Sequence, residues 1–217
     1  MAEATHRTVE TNGIRMHYVE QGAGPLVFLC HGFPESWYSW RHQLNALAAA
    51  GFHAVAPDMR GYGASDSPAA VDQYTLFHLL GDMMGLLDAL DAPTATIVGH
   101  DVGANVAWQG ALMRPERFRA VIGLSVPFRP RGTAPPTSIM PRTADAQFYQ
   151  LYFQEPGIAE AELEQNPRAT IRNMLYGASG DGESLHSTVT TDVGIGMVPR
   201  GGGFLRGLER PRRYRTG

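Results

Sequence analysis

The feature that most limits what this chain can fold into is Gly99-His100-Asp101-Val102-Gly103, set between an apolar run at 95–98 and a helix-periodic segment at 104–113. A strand that passes directly into a helix leaves a tight turn whose tip residue has strained backbone angles. Glycines two positions to either side remove the Cβ atoms that would collide there. Such a turn presents Asp101 above a sheet, at the positive end of the following helix. A carboxylate in that place can attack a saturated carbon and leave a covalent ester. An aspartate at a helix start can also be a simple cap. The paired glycines and the strand-to-helix setting favour the nucleophile.

The rest of the chain supports that setting. Segments 7–10 and 14–20 read as two strands joined through Asn12-Gly13, a strong hairpin dipeptide. The apolar runs 25–30 and 53–57 read as buried strands, and 39–50 and 74–90 as helices. A further strand is expected at 120–126. Strands alternating with helices imply crossover units on a mainly parallel sheet, hence an α/β fold. After Val126 the text turns proline-rich up to Pro141, and no clear strand follows. The segments 144–154, 159–165 and 167–175 are helical in flavour. The expected organisation is a core over 1–126, a helical insertion over 127–199 and a basic tail over 200–217.

Composition removes several chemistries. All 18 basic residues are arginine, so the lysine of a phosphate-binding loop, Schiff-base chemistry and serine–lysine catalysis are excluded. The net charge of −3 argues against nucleic acid as a partner. The charge is uneven: residues 200–217 hold six arginines against one glutamate, which leaves −8 for residues 1–199. A tail without helix or strand period reads as disordered or out of frame, with a basic arm for an acidic surface as the alternative. The single cysteine, Cys30, ends an apolar run and reads as a small core residue. There is no apolar run of membrane-spanning length and no signal-peptide pattern, so the expected location is cytoplasmic. No His-Glu-x-x-His or similar metal pattern occurs, and no cofactor is implied.

A second motif, His31-Gly32-Phe33-Pro34, follows the strand ending at Cys30. In the fold expected here, the loop after that strand supplies one backbone N–H to an oxyanion hole, and the residue after the nucleophile supplies the other. The donors would be Phe33 and Val102. Together with Glu35-Ser36-Trp37, Pro57-Asp58-Met59-Arg60-Gly61-Tyr62-Gly63 and Phe148-Tyr149-Gln150-Leu151-Tyr152-Phe153-Gln154-Glu155-Pro156-Gly157, these motifs resemble soluble epoxide hydrolases of the α/β-hydrolase superfamily. The resemblance runs from about Ile14 to Tyr176. It implies an α/β-hydrolase core with a helical lid, and Asp101 attacking an epoxide carbon. It also implies that Tyr149 holds the leaving epoxide oxygen and that the Phe33–Pro34 bond is cis. Asp58 and Arg60 would shape turns. Tyr152, at helical spacing among aromatics, would pack. Val102 stands where such hydrolases often carry tryptophan.

The resemblance also implies a second lid tyrosine, an acid and a histidine, none of which has a match here. The last strands and helices of the core would be missing too. The only histidine after His100 is His186, in a glycine- and serine-rich stretch, and it is a poor candidate base. The expected substrate is a small apolar epoxide, opened to a vicinal diol with hydrolysis of the ester impaired. A dehalogenase-like hydrolase and a non-catalytic fragment or binding module are the competing readings.

Overall fold

The computed structural model describes residues 4–177, 179, 197–199 and 204. Six strands and three α-helices lie among the described residues of the first of two units, Met1–Arg129. In chain order they are β1 (Thr5–Thr11), β2 (Ile14–Gln21), β3 (Leu26–Cys30), α1 (Arg41–Ala49), β4 (His53–Pro57), α2 (Leu76–Ala89), β5 (Ala95–His100), α3 (Val102–Met113) and β6 (Phe118–Leu124). The six strands form one sheet in the order β1-β2-β4-β3-β5-β6. β1, β2 and β4 pair antiparallel, whereas β4, β3, β5 and β6 run parallel. The expected α/β-hydrolase core is borne out.

β3 shows why the sheet sits where it does. All five of its residues are buried, as expected of a parallel strand covered on both faces. Phe28 and Cys30 point to a core built with Met83, Leu86 and Leu87 of α2 and Val106 and Ala107 of α3. Val27 and Leu29, one residue out of phase, point to a second core with Trp40 and Leu44.

The hairpin turn is built as its dipeptide suggests, with Asn12 at φ 45° and Gly13 at φ 77°. Asn12 is then used again: its Nδ2 donates to the His78 carbonyl at 3.0 Å and to Asp82 Oδ1 at 2.8 Å. Asp82 is fully buried and also receives Arg60, through Nε at 2.9 Å and an NH2 group at 2.6 Å. One ion pair therefore fastens the hairpin, the loop after β4 and α2 together.

Several boundaries differ from expectation. The helix expected over 39–50 is a short 3-10 turn, Trp37–Trp40, followed by α1. β5 runs two residues further than expected and α3 begins two earlier, so Asp101 alone forms the junction.

In the second unit, Pro130–Gly217, the elements are α4 (Pro136–Ile139), β7 (Ala146–Phe148), α5 (Tyr149–Tyr152), α6 (Ile158–Leu163), α7 (Pro167–Gly177) and β8 (Met197–Pro199). The expectation that no strand follows Val126 is wrong, and so is the continuous helix over 144–154. β7 pairs antiparallel with β8, a partner too distant in sequence for local periodicity to reveal. A turn at Thr143 also claims the Ala146 backbone on both sides, which blocks helix there. The core of this unit gathers Tyr152, Ala159 and Val198, with Tyr149, Phe153 and Phe204 packed against it.

Candidate active site

Asp101 sits at φ 54° and ψ −119°, a left-handed conformation that a non-glycine residue adopts only under constraint. The constraint comes from its neighbours. A Cβ at Gly99 would strike the Gly103 carbonyl, and one at Gly103 would strike the Cys30 and His31 carbonyls. A Cβ at Gly32 would strike the Asp101 side chain itself. Three glycines thus let β3, β5 and α3 close around one carboxylate.

That carboxylate does not cap α3, since its side chain makes no hydrogen bond to the helix start. It turns instead to the loop after β3, where the Phe33 N–H donates to Oδ1 at 3.0 Å. The capping alternative is thereby removed. Among the described residues, no hydrogen bond engages Oδ2. Val102 opens α3 and is exposed. Its N–H is among the first four of the helix, which have no partner inside it.

The Phe33 loop is held from several sides. The Phe33–Pro34 bond is cis, as the resemblance implied. The Glu35 N–H closes a turn onto the Gly32 carbonyl at 3.1 Å. Glu35 Oε2 accepts the Gly32 N–H at 3.2 Å and lies 3.0 Å from His100 Nδ1. His31 staples the loop to the next strand's exit: its Nε2 accepts the Met59 N–H at 2.9 Å, so its Nδ1 donates to the Gly32 carbonyl at 2.8 Å. Burial holds this ring below the usual imidazole range, against the opposing pull of the Gly32 bond. Tyr62 meets His31 edge-on at 4.9 Å. Burial, reinforced by the negative charge of Asp101, pushes its phenol up to about 12, so it stays protonated.

Tyr149 lies in the second unit, at the start of α5. Its ring packs on Phe148 at 4.7 Å and Phe153 at 5.6 Å, and its hydroxyl accepts from Gln150 Nε2 at 3.3 Å. Tyr152 is buried and donates to Glu162 Oε2 at 2.6 Å. Burial, together with that bond, pushes its phenol to about 12. His186 lies outside the described residues. No helix among the described residues is long and apolar enough to cross a membrane.

Comparison with known proteins places this geometry. The α/β hydrolase fold family matches residues 25–199. The chain belongs to that family. This α/β hydrolase is 50% identical to epoxide hydrolase A of Mycobacterium tuberculosis over 214 residues, covering 97% of this chain and 65% of that protein. It is 52% identical to bifunctional epoxide hydrolase 2 of Sus scrofa over 165 residues, covering 75% of this chain and 29% of that protein. Among solved structures it resembles an epoxide hydrolase from an endophytic Streptomyces, with TM-score 0.87 and 48% identity, over 94% of this chain and 61% of that one. Epoxide hydrolase A from Mycobacterium thermoresistibile gives TM-score 0.84 and 45% identity, over 97% and 65%. The chain spans less than two-thirds of the length of each of these relatives.

Sequence reasoning singled out Asp101 and Phe33, which the structure of this α/β hydrolase brings within hydrogen-bond distance. It missed the Glu35–His100 pair, the His31 staple and Tyr62. The spacing of Glu35 and His100 gives no hint of contact; their loops meet because β3 and β5 pair in parallel.

Proposed function

We propose that this chain carries the ring-opening half of an epoxide hydrolase, with Asp101 as nucleophile. The observation that carries the reading is the Phe33 N–H on Asp101 Oδ1. It fixes one carboxylate oxygen and leaves the other to attack. In the reaction, Oδ2 forms a bond to an epoxide carbon, the ring C–O bond breaks, and the departing oxygen takes a proton, the role that the resemblance gives to the Tyr149 hydroxyl. The product is a hydroxyalkyl ester on Asp101. When water then attacks that ester, negative charge gathers on Oδ1, where Phe33, joined by the Val102 N–H, would stabilise it. One such donor contributes on the order of 3 kcal/mol to a transition state.

The second step needs a base to take the proton of water. His31 has both ring nitrogens engaged, and His100 has Nδ1 held at Glu35. On this reading no base is assigned to the second step among the described residues, so ester formation outruns ester hydrolysis and the alkylated form accumulates. The substrate is a small or medium apolar epoxide. The named relatives are all epoxide hydrolases, which supports this over the dehalogenase reading.

Single-turnover mixing with an aryl epoxide, followed by mass spectrometry, tests the assignment. Asp101→Asn abolishes the adduct. Tyr149→Phe slows its formation by roughly a hundredfold, the scale of one general acid. An unchanged rate in Tyr149→Phe would remove that residue from the mechanism.

A further inference from the structure

Three side chains outside the site form a continuous chain from the surface to the loop that carries Phe33. His6 on β1 stacks beside His17 on β2, with Nδ1 and Nε2 3.0 Å apart. His17 Nδ1 lies 2.8 Å from Asp58 Oδ2. The Asp58 carboxylate accepts, so His17 carries a proton on Nδ1, and a second proton lies between His17 Nε2 and His6 Nδ1. Asp58 Oδ1 accepts the Trp37 N–H at 3.0 Å, at the far end of the Phe33 loop. The His6 ring also meets the Trp37 indole edge-on at 4.9 Å. The chain therefore touches Trp37 twice, at its backbone and at its ring. His17 and Asp58 are buried, whereas His6 is exposed.

We infer that His17 is a positioning residue for the oxyanion loop, acting through Asp58, and that His6 sets the ring of His17. The loop is pinned at its start by His31 and Asp101 and at its end by Asp58. Asp58 also holds the Ala64 N–H at 3.0 Å through Oδ2, the oxygen that His17 grips. If His17 is lost, Asp58 turns toward Ala64 and the Trp37 anchor loosens. This rests on the reading of Phe33 as an oxyanion donor.

The experiment compares His17→Asn with His17→Gln in the full chain. An asparagine amide reproduces a donor near the Nδ1 position, facing Asp58. A glutamine amide places its donor further out, toward His6. Amide hydrogen exchange at Trp37 and Phe33 is read by NMR, without any epoxide. Asparagine should preserve protection at both amides; glutamine should raise Trp37 exchange roughly tenfold, the scale of one lost hydrogen bond to a charged group. Equal protection in both variants would overturn the inference. If neither folds, His6→Ala, at an exposed ring, decides: faster Trp37 exchange supports the relay and unchanged exchange overturns it. Ester formation at Asp101 is then measured separately. A chain that exchanges as expected but forms no adduct would sink the proposed reaction and leave the role of His17 in the loop standing.

Discussion

At the scale of single residues, the site depends on missing atoms as much as on present ones. Gly32 has no φ requirement, yet a Cβ there would overlap the Asp101 side chain. Gly32→Ala should therefore displace the carboxylate from the Phe33 N–H and slow ester formation roughly a hundredfold, with a stability loss of about 1–3 kcal/mol because the Asp101 Cβ that it strikes is fixed to the turn. Adduct kinetics beside a melting curve would check this; a normal rate would mean that the Phe33 contact is dispensable. His31 acts differently, because its Nε2 must stay unprotonated to accept the Met59 N–H. Its folded value lies below the ordinary 6.5. As pH falls below about 6.5, the unfolded chain takes up a proton that the folded chain refuses. Stability is therefore complete above that pH and is lost as pH drops toward the folded value. Denaturant titrations from pH 7.5 to 5 should show this slope, and His31→Asn should flatten it. Asp101 was legible because its glycines sit beside it in sequence. The His31 staple was not, since its partner Met59 belongs to another loop.

Elements are held together mainly by groups that no local pattern shows. Asp82 sits in the middle of α2, where an acidic residue reads as solvent-facing, yet it is 0% exposed. It joins Arg60 from the loop after β4 and Asn12 from the hairpin turn. Asp82→Ala leaves a buried guanidinium without its partner, and the expected loss is about 3–5 kcal/mol. Urea unfolding would measure it, and a loss below 1 kcal/mol would show that Arg60 finds water instead. Arg60 was expected only to shape a turn; its partner lies too far along the chain for spacing to reveal. The segment around Tyr149 failed for a related reason. Its aromatics fall at helical spacing, but β7 takes the residues before Tyr149 because a distant strand pairs with them. Tertiary pairing overrode local period there, whereas β3 was read correctly because complete burial leaves an uninterrupted apolar run.

At the scale of the whole molecule, the described sheet ends at β6, whose only strand neighbour among the described residues is β5. Ile122 is 50% exposed and Leu124 42% exposed on that strand. An apolar edge of this kind offers unpaired backbone groups to other chains. The purified chain should self-associate as concentration rises, and Ile122→Lys should suppress this in sedimentation experiments. A parent that stays monomeric at high concentration would show that the edge is covered. The alternation of strand and helix made this sheet predictable as a class, but not its order, because sequence neighbours β3 and β4 lie inside a sheet begun by the hairpin.

Everything proposed for the reaction depends on alkylation of Asp101 by an epoxide. The most direct measurement is peptide mapping by mass spectrometry after incubation of the pure chain with a reactive aryl epoxide. One added epoxide mass is expected, located on Asp101 and removed by mild base, with none in Asp101→Asn. An adduct located on another residue, or a folded chain that gains no mass at all, would contradict it.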